Sequence, residues 1–273
     1  MADEARASGR AAADRAVAID NRNSEALYIK GVLLDPRDWI GKEELFKRAI
    51  AARRLDCGCE HHQYGGMLLK VGRTAEAVEQ LHQANEMLAL YVYTPLWLAE
   101  ALVAAGKPED AKQFFDAAID LAPNAVFARR FTAFKAMAMG DTDLLRDPAL
   151  EIPAEQRAAM LQAFRALASR DSVVRAQAVK ALLALPEDQK RSTVAKLLAR
   201  FGANHEAFEI ASRVATGASG TSLLWDPSMR GTLDDPGFPA LVTQLGLVEY
   251  WKATHTKPDV CSETAPPAFC GMI

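Results

Sequence analysis

Little in this sequence is suited to catalysis, to crossing a bilayer or to gripping nucleic acid. Only 7% of the 273 residues are aromatic and only four are cysteines. Four cysteines (Cys57, Cys59, Cys261 and Cys270) in so long a chain do not make the framework of a small secreted domain, so reduced thiols and a cytoplasmic location are expected. No apolar run reaches the roughly 18 residues that a membrane-spanning helix needs. The N-terminal MADEARASGR has no apolar core and does not read as a secretory signal. Lys and Arg number 32 against 35 Asp and Glu, a net charge of −3. Phosphate binding needs a concentrated basic face, so direct nucleic-acid binding by this segment is not expected.

Catalytic signatures are missing too. There is no phosphate-binding loop, no dinucleotide glycine fingerprint and no nucleophile elbow. HEAFE, residues 205 to 209, lacks the second histidine of a zinc-protease helix. DDPG, residues 234 to 237, is a helix start rather than a carboxylate pair. The expectation is a non-enzyme without a cofactor.

What is there is alanine, spaced for helices. Apolar residues recur three and four apart, interrupted by Gly, Pro and Asn, and no segment alternates with a period of two, so the chain is read as all-α. In LKVGRTAEAVEQLHQA, Gly72 is followed by Ala77, Leu81 and Ala84; in VAAGKPEDAKQFFDAAIDLAP, Gly106 is followed by Ala111, Phe115 and Ala118. The offsets from glycine are five, nine and twelve in both, and the two glycines lie 34 residues apart. Gly140 stands another 34 residues on, although the helix after it reads poorly. Upstream, Gly31 matches Gly65, and Phe46 and Ala49 match Leu81 and Ala84 with one residue deleted between. Small residues let antiparallel helices approach while a large one fills the neighbouring hollow.

This pattern resembles the tetratricopeptide repeat, clearly over residues 5–145. Lys42, His61 and Pro95 depart from the usual residue types. Degenerate hairpins are read over 146–220, with Gly202 and Ala207 repeating the turn signal. The resemblance implies a right-handed superhelical solenoid of antiparallel helix pairs over 1–220, a stack in which each pair buries its faces on its neighbours. It also implies a concave groove that binds a protein or peptide, lined by Tyr28, His62, Leu69, Lys70, Tyr93, Leu96, Glu100, Phe127, Arg130 and Phe134. Apolar pockets would anchor such a partner, and Lys70, Glu100 and Arg130 would orient it. Self-association is a further expected use. The first segment matches only the second helix of a repeat: it reads either as the continuation of a longer protein or as a native start with that helix as cap.

Residues 221–261 read as a short helical cap covering the solenoid's open end, with Asp235 and Pro236 starting a helix and Gly246 stopping one. The elements LWDP, Arg230, DPGF, LGL, YW and PDVC resemble the ending of bacterial regulators in which tetratricopeptide repeats follow a winged-helix domain or a class III adenylate cyclase. That resemblance implies a sensory or assembly module attached to such an output. The tail 262–273, with two prolines and no helical period, is expected to be disordered.

One cluster invites a different reading. CGCEHHQYGG, residues 57 to 66, puts Cys57, Cys59 and His62 within reach of a shared metal ion, which would make the module a metal or small-ligand sensor. Against this, no fourth ligand follows at a recognisable spacing. Packing is the preferred role, since free cysteine behaves as a small hydrophobe.

Overall fold

The computed structural model describes residues 2–52, 58–217 and 220–273, with side chains from residue 4 onward. No strand occurs among the described residues. The helices are α1 (Ala2–Ile19), α2 (Ser24–Leu33), α3 (Trp39–Ala52), α4 (Cys59–Lys70), α5 (Thr74–Met87), α6 (Tyr93–Ala104), α7 (Pro108–Asp120), α8 (Ala125–Met139), α9 (Thr142–Leu145), α10 (Ala154–Leu167), α11 (Ser172–Leu183), α12 (Ser192–Arg200), α13 (Asn204–Thr216), α14 (Phe238–Gln244) and α15 (Leu247–Thr254). Chain neighbours pair most extensively, α2 with α3, α4 with α5, α6 with α7 and α12 with α13, which is the stacking of an α-solenoid.

The glycine period has a backbone cause. Gly72, Gly106, Gly140 and Gly202 all adopt left-handed φ, at 85°, 73°, 67° and 82°, a conformation that side chains with a Cβ adopt only at a cost. Each ends one helix so that the next can fold back. The small residues occupy the crossings: Ala77, Ala84, Ala111 and Ala118 have no exposed surface. At Gly31 an added Cβ would lie 2.7 Å from the Phe46 ring, and at Gly65 it would lie 2.6 Å from Leu81. These are equivalent positions in successive repeats, and the same small-against-large contact is made in both. After Gly140 the second helix shrinks to the four residues of α9, as the poor pattern there foretells.

The three departures from repeat residue types are accommodated individually. Lys42 is buried, its ammonium donating to the Asp35 carbonyl and lying 5.3 Å from the Trp39 ring centre. His61 shares a 2.7 Å hydrogen bond with Gln80. Pro95 is buried in the first turn of α6, where the amide it lacks would have no helical partner.

Two expectations about the C-terminus are corrected. The tail 262–273 is ordered: Pro267 and Phe269 are buried, Ala268–Met272 forms a 3₁₀ helix, and Cys261 and Cys270 are joined by a disulfide. Phe269 packs 4.9 Å from the Phe238 ring and 5.9 Å from the Trp251 ring, so burial of one aromatic side chain anchors a segment whose composition reads as loop. The described cysteines are not reduced thiols either. No described cysteine is free, and Cys59 is itself disulfide-bonded.

The cap does more than cover one end. Its 3₁₀ segments Thr221–Trp225 and Pro227–Asp234 pack on α13 and α12 as a terminal cap would, but Thr221–Trp225 also packs on α4 and α15 packs on α3. The chain thereby returns to its early repeats. One core cluster runs from Trp39 and Phe46 through α4–α13 to Trp251 and Phe269, while a smaller one, Leu27, Leu45, Ala49 and Ala52, joins α2 to α3.

Candidate functional site

The cap is docked by residues of its own ending, each with a separate partner. Three tryptophans donate indole N–H groups to backbone carbonyls that helix and loop ends leave free: Trp225 to Lys70 at 2.9 Å, Trp251 to Val71 at 3.0 Å, and Trp39, from the repeat side, to Leu245 at 2.8 Å. Asp259 accepts from Thr74 Oγ1 at 2.7 Å and from the Ala75 amide at 2.8 Å. It thus caps the start of α5, which has no cap of its own. Asp226 pairs with Lys196 of α12 at 2.5 Å and also caps its own 3₁₀ turn through Ser228. Arg230 binds Glu263 at 2.9 Å and the Ala265 carbonyl at 2.5 Å, holding the tail.

At the centre lies a buried ionic network. Glu43 of α3 accepts from Tyr64 at 2.8 Å, from Arg73 at 2.6 Å and, on its other oxygen, from Tyr250 of α15 at 2.8 Å. Arg73 also donates to the Tyr250 hydroxyl at 2.7 Å and to both oxygens of Glu76. Burial raises the Glu43 carboxyl, but hydrogen bonds from Lys47, Arg73, Tyr64 and Tyr250 outweigh it and hold the group at about 2. The same burial and the adjacent carboxylate push the Tyr64 and Tyr250 hydroxyls well above their ordinary range. Glu43 therefore stays ionised, and the Tyr64 and Tyr250 hydroxyls stay protonated, across physiological pH.

The residues expected to line a groove fall into three kinds. His62, Leu69 and Leu96 are buried packing residues; Tyr28, Lys70, Tyr93, Phe127 and Phe134 are half-buried; Glu100 and Arg130 are exposed. Many of the rings form a continuous row. Trp97 stacks on His62 at 4.2 Å, and His62 meets Tyr91 edge-on at 5.3 Å. Tyr91 touches Tyr93 at 5.7 Å, Tyr93 touches Phe131 at 6.2 Å, and Phe131 lies 6.0 Å from Phe127. Gly66 makes the first of these contacts possible, because a Cβ there would fall 2.4 Å from Trp97 Cζ3. Arg130 lies over Phe134 at 5.5 Å, close enough for cation–π attraction.

Glu100 keeps solvent contact yet sits deep among protein. Burial raises its carboxyl, while Lys196 and Lys70 draw it back. A carboxylate of α6 thus lies within electrostatic reach of Lys196 on α12.

The metal reading is corrected by three facts. Cys59 is bound in a disulfide and has no thiolate to offer. His62 is buried among rings, with Nδ1 3.3 Å from Thr94 Oγ1, and burial lowers it to about 4. Cys57 lies outside the described residues, and among those described no three His, Cys, Asp or Glu side chains gather as metal ligands. The sequence could not show that Cys59 is paired, because proximity of cysteines reads equally as ligand pair or disulfide. It also hid the docking roles of Glu43, Arg73 and Asp259, whose partners lie far away along the chain.

The fold and its repeat geometry define a helical-repeat protein. Residues 68–136 match the tetratricopeptide repeat family. No curated protein matches the chain. Among solved structures, the TPR domain of P58(IPK) is 15% identical over 99% of this chain and 92% of that one, with a TM-score of 0.25, too low to add to the repeat match. No described helix is long and apolar enough to cross a membrane.

Proposed function

We propose that this chain is a non-catalytic protein-interaction scaffold that takes a peptide or amphipathic helix along the wall formed by α6 and α8. The observation that carries this reading is the half-buried row of Tyr93, Phe127 and Phe134 beside the exposed Arg130. Rings already fixed by packing lose little freedom on binding, and an arginine next to them adds orientation. Such a wall favours a partner with apolar anchors and an acidic group near Arg130.

The likeness of the ending to bacterial regulators supports a place as the sensory or assembly module of a signalling or transcription-regulatory protein. In that setting the closed shape makes the module a rigid body that an output domain could read. Paired cysteines fit an oxidising compartment better than a reducing cytoplasm.

Peptides selected from a random library on the full chain test the wall. Phe127→Ala, Phe134→Ala and Arg130→Glu are each expected to weaken the selected peptides at least ~10-fold, a loss of about 1.4 kcal/mol, while Lys112→Asp leaves them unchanged. Undiminished binding to all three wall variants would remove α6 and α8 as the site. Light scattering on the same protein reports whether copies associate with one another instead.

A further inference from the structure

Where the returning cap meets the early repeats, the packing leaves a cavity of about 290 Å³. Trp39, Phe46, Met67 and Trp97 contribute its apolar walls, Ala215, Thr216 and Gly217 at the end of α13 line another side, and Thr221 and Leu245 line it from the cap. Among the described residues its charged lining consists of Arg6, Arg37, Lys42 and Lys70, with no carboxylate. In a chain with a net charge of −3, four cations gathered with no acid among the described lining residues is a local reversal.

Two of these cations are held inside the protein envelope. Lys42 is 9% exposed, and its hydrogen bond goes to a neutral carbonyl rather than a carboxylate. Lys70 makes no hydrogen bond or ion pair with a described residue through its ammonium. The two repel: Lys42 is lowered to about 8, first by burial and next by Lys70, with Asp35 and Asp38 opposing and Arg6 adding to the shift. Lys70 is lowered by burial and partly restored by Glu100. Asp35, Asp38 and Glu100 all stand outside the cavity lining.

Asp35, Asp38 and Glu100 offset only part of the cost of holding these like charges in a partly dry space, and an anion placed between the two ammonium groups would offset more of it. Flat aromatic walls beside the cations offer a place for an apolar body as well. The volume is at the small end of ligand sites, enough for about one ring and its substituent and too small for a stretch of peptide. Arg6 and Arg37 are exposed, so the positive field reaches solvent at the cavity and would draw anions towards it.

We propose that this cavity binds a small amphipathic anion, an aromatic or apolar body carrying one carboxylate or phosphate, with the anionic head between Lys42 and Lys70 and the body against Trp39 and Trp97. The site uses none of the peptide wall on α6 and α8 apart from the side chain of Trp97, and it stands or falls separately. Because the lining comes from both the repeats and the cap, ligand binding would fasten the cap to the repeats.

Calorimetric titration of the full chain with indole-3-acetate and with phenyl phosphate, against the neutral indole-3-ethanol and phenol, tests it. At least one anion is expected to bind one-to-one with a Kd below ~1 mM, its neutral analogue at least ~10-fold more weakly. Lys42→Met and Lys70→Met should each weaken the anion at least ~10-fold, while Lys252→Met on the exposed face of α15 leaves it unchanged. Binding should also raise the thermal midpoint of the wild-type chain. Failure of both anions to bind at ~10 mM, equal binding of a neutral analogue, or full affinity in Lys70→Met would overturn the proposal. Should Lys42→Met fail to fold, Lys70→Met alone decides.

Discussion

Tyr250 donates a 2.8 Å hydrogen bond to Glu43, a residue 207 positions earlier in the chain. That bond ties the last α-helix to the α2–α3 hairpin, and the Arg73 guanidinium closes the triangle by donating to both. The ends of a linear array are thus joined at a buried, fully hydrogen-bonded charge. A solenoid whose repeats touch only their neighbours can unfold piecemeal. A lock between distant repeats couples them into one unit.

Removing the Tyr250 hydroxyl tests that lock. Tyr250→Phe keeps the ring and deletes its bonds to two charged groups, so it is expected to cost about 2 kcal/mol by denaturant titration. Glu43→Ala removes the buried acceptor shared by Tyr64, Arg73 and Tyr250 and leaves the Arg73 charge with Glu76 alone, so it should cost more, about 3 to 5 kcal/mol. A smaller effect for Glu43→Ala than for Tyr250→Phe would show that the network does not hold the cap.

Acid should loosen the protein in two windows. His62 has a folded pKa of about 4 against an ordinary 6.5, so the unfolded chain takes up its proton first. Its contribution is full above about 6.5 and declines as pH falls towards 4. Glu43, held at about 2 against an ordinary 4.5, contributes fully above 4.5 and loses that contribution as pH falls towards 2. Each window is worth about 3 kcal/mol. In stability measured against pH, His62→Phe should flatten the upper window and Glu43→Gln the lower one.

Gly72 and Gly106 occupy equivalent turns with similar backbone, and only one is covered. At Gly72 an added Cβ would lie 2.6 Å from Pro258 and 2.9 Å from Trp225, whereas at Gly106 nothing lies within 4 Å. Gly106→Ala is expected to cost about 1 to 2 kcal/mol, the left-handed penalty alone. Gly72→Ala should cost clearly more, because the cap must move. Equal thermal shifts for the two would mean the cap does not rest on this turn.

A register control uses the helix crossings. Ala118 has no exposed surface, so Ala118→Asp buries an unpaired charge and should cost about 3 to 5 kcal/mol. Lys112, exposed on the same helix and paired with Glu109 at 2.6 Å, should change stability by less than about 1 kcal/mol on Lys112→Asp.

Reduction of the Cys261–Cys270 disulfide, or Cys261→Ser, should lower the thermal midpoint. The two residues are separated by nine positions, and closing so short a loop is worth about 2 to 3 kcal/mol on the chain-entropy account. An unchanged midpoint under reducing conditions would mean that Phe269 and the Arg230 contacts anchor the tail without the disulfide.

The repeats were legible because their signals are local. Glycine at the turn and alanine at the crossing act within one helix pair, so their spacing survives in the sequence even where Lys42 or Pro95 breaks the usual type. The groove was legible only in part. Which helix faces point inward follows from the same period, but whether His62 ends in solvent or under Trp97 depends on a helix 30 residues on, and on Gly66 leaving room for it.

By itself the sequence determined an all-helical stack, its turns and its small-against-large crossings, because backbone conformation at glycine and contact distance at alanine are set by a residue and its near neighbours. Only the tertiary structure decided that the chain returns on itself, that Phe269 and a disulfide order the tail, and that four cations share one cavity. Those outcomes depend on groups brought together from opposite ends of the chain. Burial and hydrogen bonding select such partners through space, and no spacing along the sequence encodes them.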